Sequence, residues 1–266
     1  MSFAQRVEVP ADSPFFAGHF TGHPILPGIA HPLFVARALN PGAEARIAEI
    51  RSLKLRSPVR PGDVLDILDV LDLSGTAPGE DGTVRFELRR AGELVSQGSL
   101  RIAPPEWSGA LAAPIPAERS EVCSPVSALL PHQPPARLLR DVLDASRETL
   151  TGVIEIPASS PFVTAGRAPA FLGLEAAAQG AAALEALNRR NDPEDRGGPG
   201  PRIGYLVGLR NVKCHTAWLP AERPFRVTVR LSGSAAPLSI YEVSVEGEGG
   251  AALVQGTIST YINLTA

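Results

Sequence analysis

The stretch FFAGHFTGHPILPG, Phe15 to Gly28, sets two histidines, His19 and His23, among three glycines and two prolines. An imidazole titrates near neutrality and can take a proton from carbon, yet no Asp or Glu occurs between Phe20 and Gly42 to work with it. The opposite holds in AFLGLEAAAQGAAALEALNRR, Ala170 to Arg190, where Glu175 is the only acid of the N-terminal half and no histidine falls between Val163 and Arg190. A carboxyl in apolar surroundings stays partly protonated and can deliver a proton. If the two stretches face each other, His19 and Glu175 make one composite acid–base pair. Such a pair suits proton abstraction beside a carbonyl with protonation of a leaving hydroxyl. Gln179, one helical turn after Glu175, can orient it or the hydroxyl by hydrogen bonding. Backbone N–H groups at a helix start near Gly28 and Ile29 can hold a developing enolate oxygen, and Gly28 admits a ligand closely. Each residue also has a plainer reading: His19 as a turn histidine, Glu175 as a solvated helix residue paired with an arginine, Gly28 as a helix-start glycine.

Other candidates carry less. His23 and His31 read as structural, because the prolines among His19, His23 and His31 set no metal-ligand geometry and no Cys or Asp completes a shell. No metal or other cofactor is expected. His132, in LPHQPP, reads as a structural or entrance residue, and His215 has no assigned role. Cys123 and Cys214 lack metal-ligand spacing and read as packing residues.

The elements that must position these groups come in duplicate. PADSPFF (Pro10 to Phe16) recurs as PASSPFV (Pro157 to Val163), IRSLKLRSPVRPGD (Ile50 to Asp63) aligns without gaps on LRNVKCHTAWLPAE (Leu209 to Glu222), and VSQGSL (Val95 to Leu100) answers LVQGTI (Leu253 to Ile258). Three matches in one order indicate duplication. The Pro, Ala and Ser-rich segment 103–120 reads as a linker, giving units of 1–102 and 121–266. The polar run Asn188 to Arg202 reads as a mobile loop. Each unit shows one apolar helix, Ile29 to Leu39 or Ala170 to Arg190, followed by segments of period-two alternation such as DVLDILDVLDL, TVRFEL, FRVTVRL and SIYEVSV. The expected fold is α+β: a long helix wrapped by a curled antiparallel sheet, twice, with the two sheets paired edge to edge.

Composition bounds the partners. With 44% hydrophobic residues in 266, the chain supports a sizeable core, and 25 basic against 28 acidic residues leaves no broad nucleic-acid or membrane footprint. Neither a signal peptide nor a run of about 20 apolar residues is seen, so a cytoplasmic location is expected. Arg46, Arg51, Lys54, Arg56, Arg60, Arg210 and Lys213 form either a face for an acidic partner or phosphate, or ordinary solvated strand faces.

GHFTGHPILPG closely resembles the GHFPGxPxxPG signature of FabZ/FabA-type 3-hydroxyacyl-[acyl carrier protein] dehydratases, which have the hotdog fold. The family's catalytic histidine corresponds to His19 and its carbonyl-polarising glycine to Gly28. Its helix acid falls here on Leu33, a departure, while its EAxAQ helix sequence stands in the second half as EAAAQ, Glu175 to Gln179. LLPHQPPARLLRDVLD, Leu129 to Asp144, is similar to the family's LPHRxPFLLVDRVL opening. The resemblance covers nearly the whole chain, which looks like the double-hotdog dehydratase domains of polyketide synthases and also like a fusion of the two small dehydratase-like proteins of aryl-polyene and related polyketide pathways. It implies syn elimination of water from a (3R)-3-hydroxyacyl thioester on phosphopantetheine to the trans-2-enoyl product. An acyl carrier protein is then the partner, with CoA as an alternative carrier and ketosynthase or ketoreductase of the same pathway as further partners. The internal pseudo-dimer can also dimerise further. Rival readings are a hotdog thioesterase using Glu175 to place water, and a non-catalytic synthase subunit.

Overall fold

The computed structural model describes residues 4–39, 44, 46–69, 82–104, 106–110, 112–116, 125–191 and 203–262. Its strands are β1 (Ala4–Glu8), β2 (Ile47–Leu55), β3 (Val64–Asp69), β4 (Thr83–Arg90), β5 (Glu93–Ile102), β6 (Leu139–Ala145), β7 (Thr149–Glu155), β8 (Arg167–Pro169), β9 (Gly204–Cys214), β10 (Trp218–Pro220), β11 (Pro224–Ala235), β12 (Leu238–Glu246) and β13 (Ala252–Ile262). The helices are α1 (Ala30–Leu39) and α2 (Gly173–Arg190). Eleven strands form one antiparallel sheet in the order β1-β3-β4-β5-β2-β9-β13-β12-β11-β7-β6, and β8 pairs with β10 apart from it.

The repeat is visible in the register. β2 and β9, which hold the first six residues of the aligned segments starting at Ile50 and Leu209, pair with each other at the centre. Ile50 lies opposite Val212 and Leu53 opposite Leu209. Each residue thus faces the counterpart of the other, the relationship a twofold axis between the strands demands. The order then runs outward through matching strands, β5 and β13, then β4 and β12, then β3 and β11, with β6 added at one end. This edge-to-edge union gives two exposed edges where separate sheets would have four.

Alternation decides which side chains enter the core. Along β12, Tyr241, Val243 and Val245 are buried while Ile240 and Glu242 are exposed. α2 packs across β6, β7, β11, β12 and β13, and its small residues let it sit close. A Cβ on Gly180 would come 2.9 Å from Cγ2 of Val229. Burial of Leu174 and Leu184 on that face contributes about 1.5–3 kcal/mol each. α1 is shorter and buried nearly all round, with Leu33 and Val35 in the core.

The helix expected from Ala170 begins three residues later. Pro169 and a 3₁₀ turn over Ala170–Leu172 precede it, and the Ala170 N–H donates to the Ala217 carbonyl at 2.9 Å. The connecting segment is well tied down where described: Ala103 donates to the Arg46 carbonyl, Ala110 to that of His215 and Ile115 to that of Pro224. Its irregular backbone finds partners along the protein surface it crosses. Of the polar run Asn188 to Arg202, Asn188 and Arg190 belong to α2 and bond the carbonyls of Arg147 and Ala128. Residues 192–202 lie outside the described residues, as do Cys123 and the end of DVLDILDVLDL beyond Asp69. Cys214 is buried and free, its thiol pushed up to about 12 by burial. Among the described residues no helix is long and apolar enough to cross a membrane.

Candidate active site

The first-half turn is fixed by backbone geometry that few residues adopt. Gly18 has φ +74°, and a Cβ there would stand 2.1 Å from the carbonyl oxygen of Gln133, so only glycine fits. The Gln133 N–H in turn donates to the Gly18 carbonyl at 2.9 Å. This contact staples the turn to the segment around His132, more than a hundred residues away in sequence. Phe20 also has positive φ, 59°, and its ring lies 4.3 Å from that of His19 and 4.8 Å from that of His132. Strain of this kind in a non-glycine residue is held by its surroundings.

His19 is buried, and its Nδ1 lies 2.8 Å from the carbonyl oxygen of Ile25 in the same turn. A carbonyl only accepts, so Nδ1 carries the proton and Nε2 keeps its lone pair. That Nε2 stands 3.9 Å from Oε1 of Glu175 in the first turn of α2. The turn and the helix thus bring together the histidine lacking an acid and the acid lacking a histidine. Burial sets both charge states. It pushes the His19 imidazole down to about 4, against the raising effect of the Ile25 carbonyl, and the Glu175 carboxyl up to about 7, against the lowering contact of Gln179. Near pH 7 the pair therefore holds a neutral base and a carboxyl that keeps much of its proton.

Gln179 acts chiefly as a clamp. Its Oε1 accepts from the N–H groups of Leu138 and Leu139 at 2.8 and 3.1 Å, and its Nε2 donates to the Ala136 carbonyl at 2.8 Å. A longer contact of 3.5 Å joins Nε2 to Oε1 of Glu175. Gly28 precedes α1, and among the described residues no backbone carbonyl takes its N–H. A Cβ on Gly28 would meet Cδ1 of Leu55 at 2.5 Å, so its bareness keeps the cavity beside it open.

The other histidines separate cleanly. His23 is exposed, and His31 is buried with Nδ1 2.8 Å from Oγ of Ser96. His132 requires a correction. Read in the sequence as a structural or entrance residue, it is buried inside the candidate site, with Nε2 3.8 Å from Oε1 of Glu175. Among the described residues, the side chains with metal-ligand spacing are accordingly His19, His132 and Glu175, whose ligand atoms lie within 4.8 Å of one another, and not His19, His23 and His31. The signal was present in the LPHQPP segment, but its link to the turn through Gly18 and Gln133 is non-local.

These groups open on a cavity of about 430 Å³ between the halves. Leu26, Leu55, Ala178, Ala182 and Leu206 supply apolar wall, and Arg56 also lines it. Of the basic residues picked out by sequence, Arg51, Lys54, Arg56, Arg60, Arg210 and Lys213 are exposed. Arg46 is engaged internally by the Trp107 carbonyl, Glu44 and the Trp218 ring, and Arg51 lies 3.8 Å from Glu49.

Comparison with known proteins agrees with this geometry. Residues 124–264 match the family model described as ApeP-like, the ApeP dehydratase, and residues 2–99 match ApeI-like, the ApeI dehydratase. The 3-hydroxyacyl-[acyl-carrier-protein] dehydratase FabZ of Chlamydia trachomatis is 32% identical over 110 residues, 37% of this chain and 70% of the relative. The FabZ of Fusobacterium nucleatum is 41% identical over 72 residues, 24% of this chain, which spans only 50% of that relative. In structure the chain is similar to the dehydratase domain of PpsC from Mycobacterium tuberculosis, with TM-score 0.65, 15% identity and coverage of 98% of this chain and 94% of the other. It is also similar to the dehydratase domain of RzxB from Pseudomonas fluorescens, with TM-score 0.64, 18% identity and coverage of 97% and 93%. With a helix against the sheet in each repeat, a shared seam and family matches to both halves, the chain belongs to the FabZ-like dehydratases and has the double-hotdog fold.

Proposed function

We propose that the protein is a 3-hydroxyacyl thioester dehydratase in fatty acid or polyketide synthesis, acting on an acyl group carried by an acyl carrier protein. The observation that carries this reading is the 3.9 Å separation of a neutral His19 Nε2 and a proton-bearing Glu175 in an apolar cavity. His19 removes the proton from the carbon next to the thioester carbonyl. Glu175 protonates the departing hydroxyl, and water leaves as the 2-enoyl thioester forms. The Gly28 N–H at the approach to α1 holds the carbonyl oxygen as negative charge develops on it. Gln179 keeps Glu175 and the segment beside it in register. No cofactor enters these steps.

The two hotdog units, 1–102 and 121–266, joined by 103–120, each give one partner of the pair. Arg56, exposed at the lining of the cavity, is suited to the phosphate of the thioester arm. The test is to supply a 3-hydroxyacyl thioester on carrier protein, or on a pantetheine mimic, and to follow enoyl formation. Turnover by the unaltered protein, lost in both His19→Ala and Glu175→Gln, is the expected result. Absence of enoyl product from the unaltered protein, or full activity in both variants, overturns the assignment.

A further inference from the structure

Two imidazoles approach one carboxyl oxygen in this cavity, and their hydrogen bonding differs. His19 spends its N–H on the Ile25 carbonyl, leaving a lone pair on Nε2. His132 has no such anchor: its Nδ1 is fully buried and, among the described residues, without a hydrogen-bond partner. Its Nε2 faces Oε1 of Glu175 at 3.8 Å. A neutral imidazole has one N–H to place. On Nδ1 it would be a buried donor without an acceptor, and the Nε2 lone pair would oppose the carboxyl oxygen. On Nε2 it points toward the Glu175 carboxyl oxygen and leaves only an unmet lone pair on Nδ1, which is less costly than an orphaned N–H. Burial and the neighbouring His19 push the His132 imidazole down to about 3, so it remains neutral.

The separations define a socket. His132 Nε2 and Glu175 Oε1, 3.8 Å apart, are too distant to bond directly, yet a single oxygen atom can stand about 2.8 Å from both. Such an oxygen leaves the His19 lone pair free for a hydrogen on the adjoining carbon. We propose that His132, as the Nε2–H tautomer, is a third catalytic residue that donates a hydrogen bond to the leaving hydroxyl and holds it against Glu175. The proposal rests on the dehydratase reading above. The steps balance without a proton from His132. The α-carbon's proton goes to His19 Nε2 and its C–H electrons become the new double bond. The C–O electrons leave with oxygen, which takes the Glu175 proton. His132 donates a hydrogen bond throughout and ends as it began, beside bound water and the new carboxylate.

Two measurements test this. In ¹⁵N-histidine NMR of the unaltered protein near pH 7, His19 is expected as the Nδ1–H tautomer and His132 as Nε2–H; Nδ1–H on His132 overturns the proposal, whatever the activity. In kinetics, His132→Leu removes the donor, whereas His132→Gln returns an N–H near the Nε2 position. The Leu variant is expected to lose about 10- to 100-fold in kcat with KM little changed, the Gln variant to recover at least about half of that loss on a logarithmic scale. Folded Leu and Gln variants that are equally slow, or both as fast as the unaltered protein, overturn the role of His132 while leaving the dehydratase reading intact. An unaltered protein that makes no enoyl product defeats that reading and this proposal together, and the NMR result still records the tautomer.

Discussion

His19 Nε2 lies 3.9 Å from Glu175 Oε1, with the imidazole on a turn of the first repeat and the carboxyl on the helix of the second. The two groups come from different repeats and each is given a step the other does not perform, so activity built on the pair cannot survive loss of either. His19→Ala and Glu175→Gln are each expected to lower kcat by about 100-fold or more. Both variants are expected to keep their fold, since each replaces a buried titratable group by a neutral one. Steady-state kinetics beside thermal unfolding check this.

The same burial predicts the pH profile of catalysis. The base works only above its value of about 4 and the acid only while protonated, below about 7. The kcat/KM for a 3-hydroxyacyl thioester is therefore expected to be level between these values and to fall as pH rises above 7. In Glu175→Gln the residual rate is expected to lose that alkaline limb.

Stability should respond to acid in the opposite sense. His19, His31 and His132 are held at about 4, 4 and 3, below the ordinary 6.5, so the unfolded chain takes up three protons that the folded chain refuses as pH falls below 6.5. Glu175, raised from 4.5 to about 7, works the other way, since the folded state keeps a proton that the unfolded state loses above 4.5. The net is two protons between pH 6.5 and 4.5, a loss on the order of 3 kcal/mol per pH unit of acidification. Urea unfolding across that range measures the slope. A stability that is flat or rises on acidification would contradict the burial of these histidines.

Gly18→Ala is expected to damage both fold and chemistry. The new methyl group meets the Gln133 carbonyl oxygen at 2.1 Å in a backbone conformation that alanine resists. A cost of about 2 kcal/mol or more in unfolding free energy is expected, together with a rate loss in the protein that remains folded. Gly22→Ala provides the comparison: its φ is +82° but nothing lies within 4 Å of the added Cβ, so it bears the backbone strain alone.

Much of this arrangement is legible in the sequence. The aligned segments at Ile50 and Leu209 become the central pair β2 and β9, and the missing acid of one stretch and missing histidine of the other point to a site made by both. Such signals survive because a repeat preserves order and spacing. What escapes the sequence depends on distant contacts. His132 joins the site only because Gln133 docks on Gly18 and Phe20 stacks beside its ring. The hydrogen bond from the Ala170 N–H to the Ala217 carbonyl, on the β10 side of the fold, is likewise non-local. Helical propensity in the Ala-rich run contains no trace of that hydrogen bond.

The twofold seam between β2 and β9 also carries an evolutionary consequence. In an assembly of two identical chains every substitution is made twice, so no position can be an acid on one side and a leucine on the other. Covalent duplication lifts that constraint and permits a division of labour. Leu33 now thickens the core of the first half. In the second half the turn that answers the His19 loop leads into Arg167, which bonds Glu44 and lies 4.7 Å from the Trp218 ring. The place that mirrors the His19 turn is thus taken by scaffold contacts, and the walls around His19 and Glu175 have no identical twin to accommodate.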